Sequence, residues 1–206
     1  PTRRSSDLYL SKCYEYGLFN GSALVSEHGN VILKKGYGYA NIEWNVPNEP
    51  DTKFRIGSIS KQFTAMLIMQ LVEKGSVTLD GKISDYLPYY PKETGEKITV
   101  HQLLTHTSGI FNYTNAPEFF AKERFFPHTA EEITKLFSGK ELDFEPGTKW
   151  NYSNSGYIVL GAIIEQVSGK SYEQVLQENI LTPLGMNSTG FDHWEKIIPK
   201  RAWGYN

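Results

Sequence analysis

The chain has 206 residues, a net charge of -2, and 39% hydrophobic and 14% aromatic residues. This describes a globular protein with room for one large domain or two small ones, and it excludes a disordered chain. The absence of a basic excess argues against nucleic acid as the main partner, and no apolar run approaches the roughly 18 residues needed to span a bilayer.

The opening "PTRRSSDL" lacks a methionine and reads like a translated sequencing adapter, so residues 1–8 are expected to be a non-native leader. Any export signal would then be invisible. Cys13 is the only cysteine, which rules out an intramolecular disulfide and leaves the redox compartment open.

"SALVSEHGNVILKKGYGYAN" predicts two strands, about Ser22–Ser26 and Val31–Tyr37, joined by a turn at His28-Gly29-Asn30. "NVPNEPDTKF" then breaks regular structure. A helix opened by Ser58 follows, with Ile59, Phe63, Met66, Leu67 and Leu71 expected on one face and Gly75 ending it. Beyond it the chain turns helical. Thr99 with Gln102, Thr129 with Glu132 and Ser171 with Gln174 are capping boxes, and "SGYIVLGAIIEQVSG" is a buried helix ending at Gly169. Residues 107–128 form a long aromatic-rich loop holding Phe111, Tyr113, Phe119, Phe120, Phe125 and Phe126. A two-stranded hairpin is marginal alone. Either helices cover it, or further strands lie beyond Asn206.

Chemistry is concentrated in "FRIGSISKQFTA". Ser58 and Lys61 stand three residues apart, on one helix face about 5–6 Å apart. With 16 serines and 16 lysines, about one S-x-x-K is expected by chance. Lys61 can take the Ser58 proton only when neutral, which requires lowering its pKa from about 10.4 toward 7–8, roughly 4 kcal/mol. The alternative is an N-cap serine and a solvated first-turn lysine. "FEPGTKWNYSNSGY" adds Tyr152 and Asn154 directly before the buried helix. Tyr152 is a candidate base or proton relay and Asn154 a candidate partner for the lysine and a substrate amide. The bland alternatives are a satisfied buried tyrosine and an N-cap. His101 and His106 do not read as a metal pair, because no carboxylate or cysteine is suitably spaced.

Together, "FRIGSISKQFTA", "HQLLTHTSGI", "FEPGTKWNYSNSGY" and "LTPLGMNST" resemble the serine β-lactamase and penicillin-binding-protein superfamily. The branch resembled is that of class C β-lactamases, D-alanyl-D-alanine carboxypeptidases and related serine esterases. The resemblance implies Ser58 as acyl-forming nucleophile, Lys61 as its activator, Tyr152 as base or shuttle and Asn154 as substrate-binding. It implies a structural role for His106 to Gly109. Tyr113, in the aromatic loop, is taken as a further substrate-binding residue in one wall of the cleft, with loop anchoring as the alternative.

The superfamily's third motif, Lys-Thr-Gly or His-x-Gly, does not occur; "EHGN" at His28 is the nearest approach. The chain is therefore expected to be cut at both ends and, alone, inactive. The implied fold is α+β and β-lactamase/transpeptidase-like, a helical domain packed on an α/β domain with an antiparallel sheet. Residues 9–75 would hold the start of the α/β domain and the nucleophile helix, 76–180 the helical domain, and 181–206 the start of the return.

The resulting expectation is a serine hydrolase acting through an acyl-enzyme on an amide, β-lactam or ester carbonyl. Its partners would be a small-molecule or peptide substrate, such as a peptidoglycan peptide, without nucleic acid, metal or organic cofactor. The runner-up is a non-catalytic sensor of the same fold that binds penicillin or peptidoglycan peptides, and a third possibility is a peptidase or transacylase inert toward β-lactams. A periplasmic or extracytoplasmic location rests on the resemblance only. Oligomeric state is open.

Overall fold

A computed structural model of the chain describes residues 2–193 and 195–205. The side chains of Phe120 and Arg124 are not described, so the expectation for Phe120 lies outside the described residues, as does Pro1 of the leader. The chain divides into two compact units, residues 1–57 with 187–206, and residues 58–186.

In the first unit, α1 (Arg3–Glu15) opens on a capping box between Thr2 and Ser5. It runs through residues 3–8, set aside above as leader. Its Asp7 carboxylate accepts from Lys35 Nζ at 2.7 Å and from the Tyr37 hydroxyl at 2.9 Å. The two expected strands form as β1 (Gly21–Glu27) and β2 (Asn30–Tyr37), antiparallel, with Gly21 opposite Tyr37 and a register shift between Val25 and Ser26. His28 and Gly29, at φ 49° and 79°, make the two-residue turn, whose double positive φ matches the twist of the strands. Asn30, expected in the turn, is the first residue of β2.

A second antiparallel pair, β3 (Tyr39–Asn41) and β4 (Val46–Pro47), was not anticipated. Three residues and two are too few to show an alternating pattern. The late segment is stitched to this unit by backbone: Lys53 N–H donates to Lys200 O, Ala202 N–H to Lys53 O and Trp203 N–H to Ala40 O.

The second unit is helical. Helix α2 (Ser60–Glu73) is followed by α3 (Ile83–Tyr86), α4 (Lys92–Gly95), α5 (Val100–Leu104), α6 (Pro117–Ala121), α7 (Ala130–Lys135), α8 (Asn154–Ser168) and α9 (Tyr172–Leu176). Helix α8 is the hub, packing on α2, α3, α5, α7 and α9. Its Val159, Leu160, Ile163 and Ile164 are sealed from solvent together with Leu67, Ile68, Leu103 and Phe137. Each such side chain contributes roughly 1.5–3 kcal/mol of burial free energy. Gly169, at φ 66°, ends α8 as expected. All three expected capping boxes form: the side chains of Thr99, Thr129 and Ser171 each accept from the backbone N–H three residues on, and their own backbone N–H donates to the side chain of that residue.

Two expectations are corrected. The buried face of α2 is Thr64, Leu67, Ile68 and Leu71, whereas Ile59 and Met66 are exposed. Met66 to Met69 are all apolar, so periodicity could not choose a face. The buried face is the one turned to α8 and α9, and on it the Thr64 hydroxyl meets that of Tyr172 at 2.7 Å. Residues 107–128 are also not a plain loop. They contain α6 and 3-10 turns at Tyr113–Asn115 and Glu123–Phe125, and Phe125 and Phe126 are exposed.

Candidate active site

Ser58 lies in a 3-10 turn, Gly57–Ile59, immediately before α2. It was expected to open the helix, yet the N-cap is Ile59, with no side-chain capping bond. The Ser58 hydroxyl is therefore not consumed by capping. Lys61, on the first turn of α2, donates to Ser58 Oγ at 3.3 Å. The i, i+3 spacing thus yields direct contact.

Tyr152 comes from the segment ahead of α8, ninety-four positions from Ser58, and its hydroxyl donates to Ser58 Oγ at 2.7 Å. "HTSG" positions that segment. The backbone oxygens of His106, Thr107 and Gly109 accept from Asn151, Gly147 and Asp143 at 2.8–2.9 Å. Gly109 has φ 73°, and a Cβ there would lie 2.0 Å from Phe144 O, so only glycine allows the approach. The structural role implied for His106 to Gly109 has a concrete form here: they carry Tyr152.

Asn154 is the first residue of α8; the capping is done by Ser153, whose Oγ accepts from Gly156 N–H at 3.0 Å. Asn154 Oδ1 accepts from Lys61 Nζ at 2.8 Å, its Nδ2 donates to Thr114 Oγ1 at 3.2 Å, and its backbone N–H to Asn112 Oδ1 at 3.2 Å. The carbonyl is thereby fixed toward the lysine. Tyr113 sits between these two partners of Asn154 in sequence, and its N–H donates to Ser155 Oγ at 2.9 Å. Its ring meets Phe119 edge-on at 4.7 Å and stacks on buried Phe137 at 6.1 Å. Burial holds the Tyr113 phenol above its usual range.

The electrostatics favour ionisation of one phenol. The Lys61 ammonium, then the Ser58 hydroxyl, hold Tyr152 below the ordinary phenol value, against the opposing effect of burial. Lys61 Nζ also lies over the Tyr152 ring at 4.7 Å and the Tyr157 ring at 5.5 Å from the centroids. Tyr157 moves the other way, raised first by burial and then by Tyr152. A hydroxyl in contact with an ammonium and with a phenol of lowered pKa is arranged for activation as a nucleophile.

Ser58, Lys61, Tyr152 and Asn154 thus form one connected group, while Tyr113 contributes backbone and packing beside it. Sequence reasoning missed Asn112, Thr114 and Tyr157. Tyr157 stands three positions after Asn154 on the same helix face, a signal that was available. Asn112 and Thr114 offered none, because their role depends on how the loop folds back.

A family model described as Beta-lactamase matches residues 9–206. A putative penicillin-binding protein, PbpX, of Bacillus subtilis is 36% identical over 187 residues, spanning 91% of this chain and 45% of the relative. The crystal structure of a penicillin-binding protein from Bacillus halodurans superposes with a TM-score of 0.86 at 31% identity, covering 96% of this chain and 60% of that one. A class C β-lactamase in complex with cefoxitin superposes with a TM-score of 0.80 at 28% identity, covering 98% and 54%. These likenesses give the chain the β-lactamase/transpeptidase-like fold. The chain spans about half the length of the relatives it matches.

Proposed function

Because the chain belongs to the Beta-lactamase family, we propose that it carries the nucleophile and proton-handling groups of a serine hydrolase working through an acyl-enzyme. The carrying observation is that Ser58 Oγ is in contact with both Lys61 Nζ and the Tyr152 hydroxyl, at 3.3 and 2.7 Å. In its ionised form, which the Lys61 ammonium favours, Tyr152 accepts the Ser58 proton as Oγ bonds to the substrate carbonyl carbon. The proton then passes to the leaving nitrogen or oxygen as its bond to that carbon breaks. Water repeats the cycle, giving its proton to Tyr152 and releasing the acyl group with regeneration of Ser58. Asn154 holds Lys61 in place. Tyr113 is assigned to the wall of the substrate cleft.

The substrate class is an amide, β-lactam or ester carbonyl, and the named relatives, a penicillin-binding protein and a class C β-lactamase, support a penicillin-binding or β-lactam-directed role; the location that goes with this reading is extracytoplasmic. The test uses the whole protein that contains this chain. A fluorescent penicillin or fluorophosphonate should label Ser58 and nothing else, and Ser58→Ala should abolish labelling with a melting temperature unchanged within a degree or two. Labelling that survives Ser58→Ala refutes the assignment. Rates on nitrocefin, a p-nitrophenyl ester and a D-Ala-D-Ala peptide then rank the substrates; a stable adduct with no turnover of any of them would identify a sensor.

A further inference from the structure

His106 makes no contact with Ser58, yet it touches the group that does. Its Nδ1 accepts from Ser153 N–H at 3.2 Å, and Ser153 is the one residue between Tyr152 and Asn154. Its ring lies 4.7 Å from that of Tyr152 and 5.1 Å from that of Tyr157, tilted by 36° and 34°, with Trp150 edge-on at 6.1 Å. Its backbone oxygen accepts from Asn151 N–H at 2.9 Å. One residue thus grips the chain on both sides of Tyr152 and packs against its ring. To do so His106 adopts φ 60°, a conformation uncommon for a residue with a Cβ. Backbone in this region is strained and persists where surroundings over-determine it.

We infer that His106 is a positioning residue for Tyr152, holding the phenol against Ser58 through the Ser153 N–H bond and ring packing. The inference rests on the acyl-enzyme reading above. It carries a condition on protonation. An imidazolium has no lone pair on Nδ1, so protonation breaks the bond to Ser153 and leaves two donors facing each other. The groups facing the ring are Lys61, Tyr152 and Tyr157 on the packed elements. Burial first, then the Lys61 charge, favour the neutral ring and place its titration below the ordinary histidine value. The positioning is therefore present near neutrality and lost as pH falls through the folded value.

Two variants of the whole protein test this. His106→Leu removes the acceptor, while His106→Asn supplies a non-titrating Oδ1 near the Nδ1 position and tolerates positive φ. Acylation of Ser58 is followed by stopped flow against pH, and the ionisation of Tyr152 by its ultraviolet difference from Tyr152→Phe. His106→Leu should slow acylation about 10- to 100-fold, the scale of a misplaced catalytic group, and should change the Tyr152 titration midpoint. His106→Asn should recover most of the rate, and its profile should keep the dependence on Tyr152 ionisation but lack the further fall that the parent shows below the ordinary histidine value. The inference is overturned if His106→Asn shows the same further fall below the ordinary histidine value as the parent, or by a Tyr152 titration indifferent to His106→Leu. A parent that titrates as expected but never acylates at Ser58 refutes the acyl-enzyme reading instead. The Tyr152 titration, which needs no turnover, decides the positioning claim in that case.

Discussion

Lys61 Nζ lies closer to Asn154 Oδ1, at 2.8 Å, than to Ser58 Oγ, at 3.3 Å. The shorter bond is to a neutral side-chain carbonyl whose amide nitrogen donates to Thr114, while the backbone N–H of the same residue donates to Asn112. The lysine is therefore placed by Asn154 and merely adjoins the serine. Asn154→Ala should release it, with acylation slowed about 10- to 100-fold and stability reduced by about 1–3 kcal/mol from the lost bonds. Stopped-flow acylation and denaturant melts measure the two. Unchanged acylation in a folded variant would show that Lys61 needs no anchor.

Tyr152 gives the site a pH signature. Its folded pKa lies below the ordinary phenol value of about 10. Between the folded and unfolded values the unfolded chain binds the extra proton, so this ionisation adds stability as pH rises. The contribution is fully present above about pH 10 and is lost as pH falls through the folded value. Tyr152→Phe should flatten this rise in a melting-temperature profile and remove the alkaline gain in acylation rate. The same profile in both proteins would mean the phenol is not perturbed.

How much of this was legible in the sequence depended on range. Capping boxes such as Thr99 with Gln102 were readable because their chemistry closes within four residues. The β1–β2 hairpin was readable as two short strand-forming runs around a glycine turn. Ser58, Lys61, Tyr152 and Asn154 were readable only as members of motifs, and the contact between Ser58 and Tyr152 spans ninety-four positions. The short β3–β4 pair, the buried face of α2 and the brace of Asn112 and Thr114 on Asn154 were not readable. Each involves partners distant in sequence, as α2 packs on α8 and Thr64 meets Tyr172.

Tyr113 offers a separable test. Its ring is packed between Phe119 and Phe137, and its backbone N–H is tied to Ser155. Tyr113→Ala should cost about 2–4 kcal/mol in a guanidinium melt through lost packing. If the side chain also walls the cleft, the ratio of kcat/KM for nitrocefin over the p-nitrophenyl ester should change at temperatures where the variant is fully folded. A constant ratio would restrict Tyr113 to packing.

Gly109 tests whether "HTSG" acts through backbone geometry. At φ 73° its added Cβ would lie 2.0 Å from Phe144 O, a backbone atom that cannot swing aside. Relief would require residue 144 to retreat, and with it the paired segment that reaches Tyr152 through Gly147 and Asn151. Positive φ for a residue with a Cβ adds about 1–2 kcal/mol to the cost of the clash. Gly109→Ala should therefore lower the melting temperature by several degrees and slow acylation more than stability alone accounts for. Gly139, where an added Cβ meets nothing within 4 Å, is the control. Gly139→Ala should leave melting and acylation within experimental scatter of the parent. If Gly109→Ala behaves like Gly139→Ala, the close approach to Phe144 is not what carries Tyr152 to Ser58.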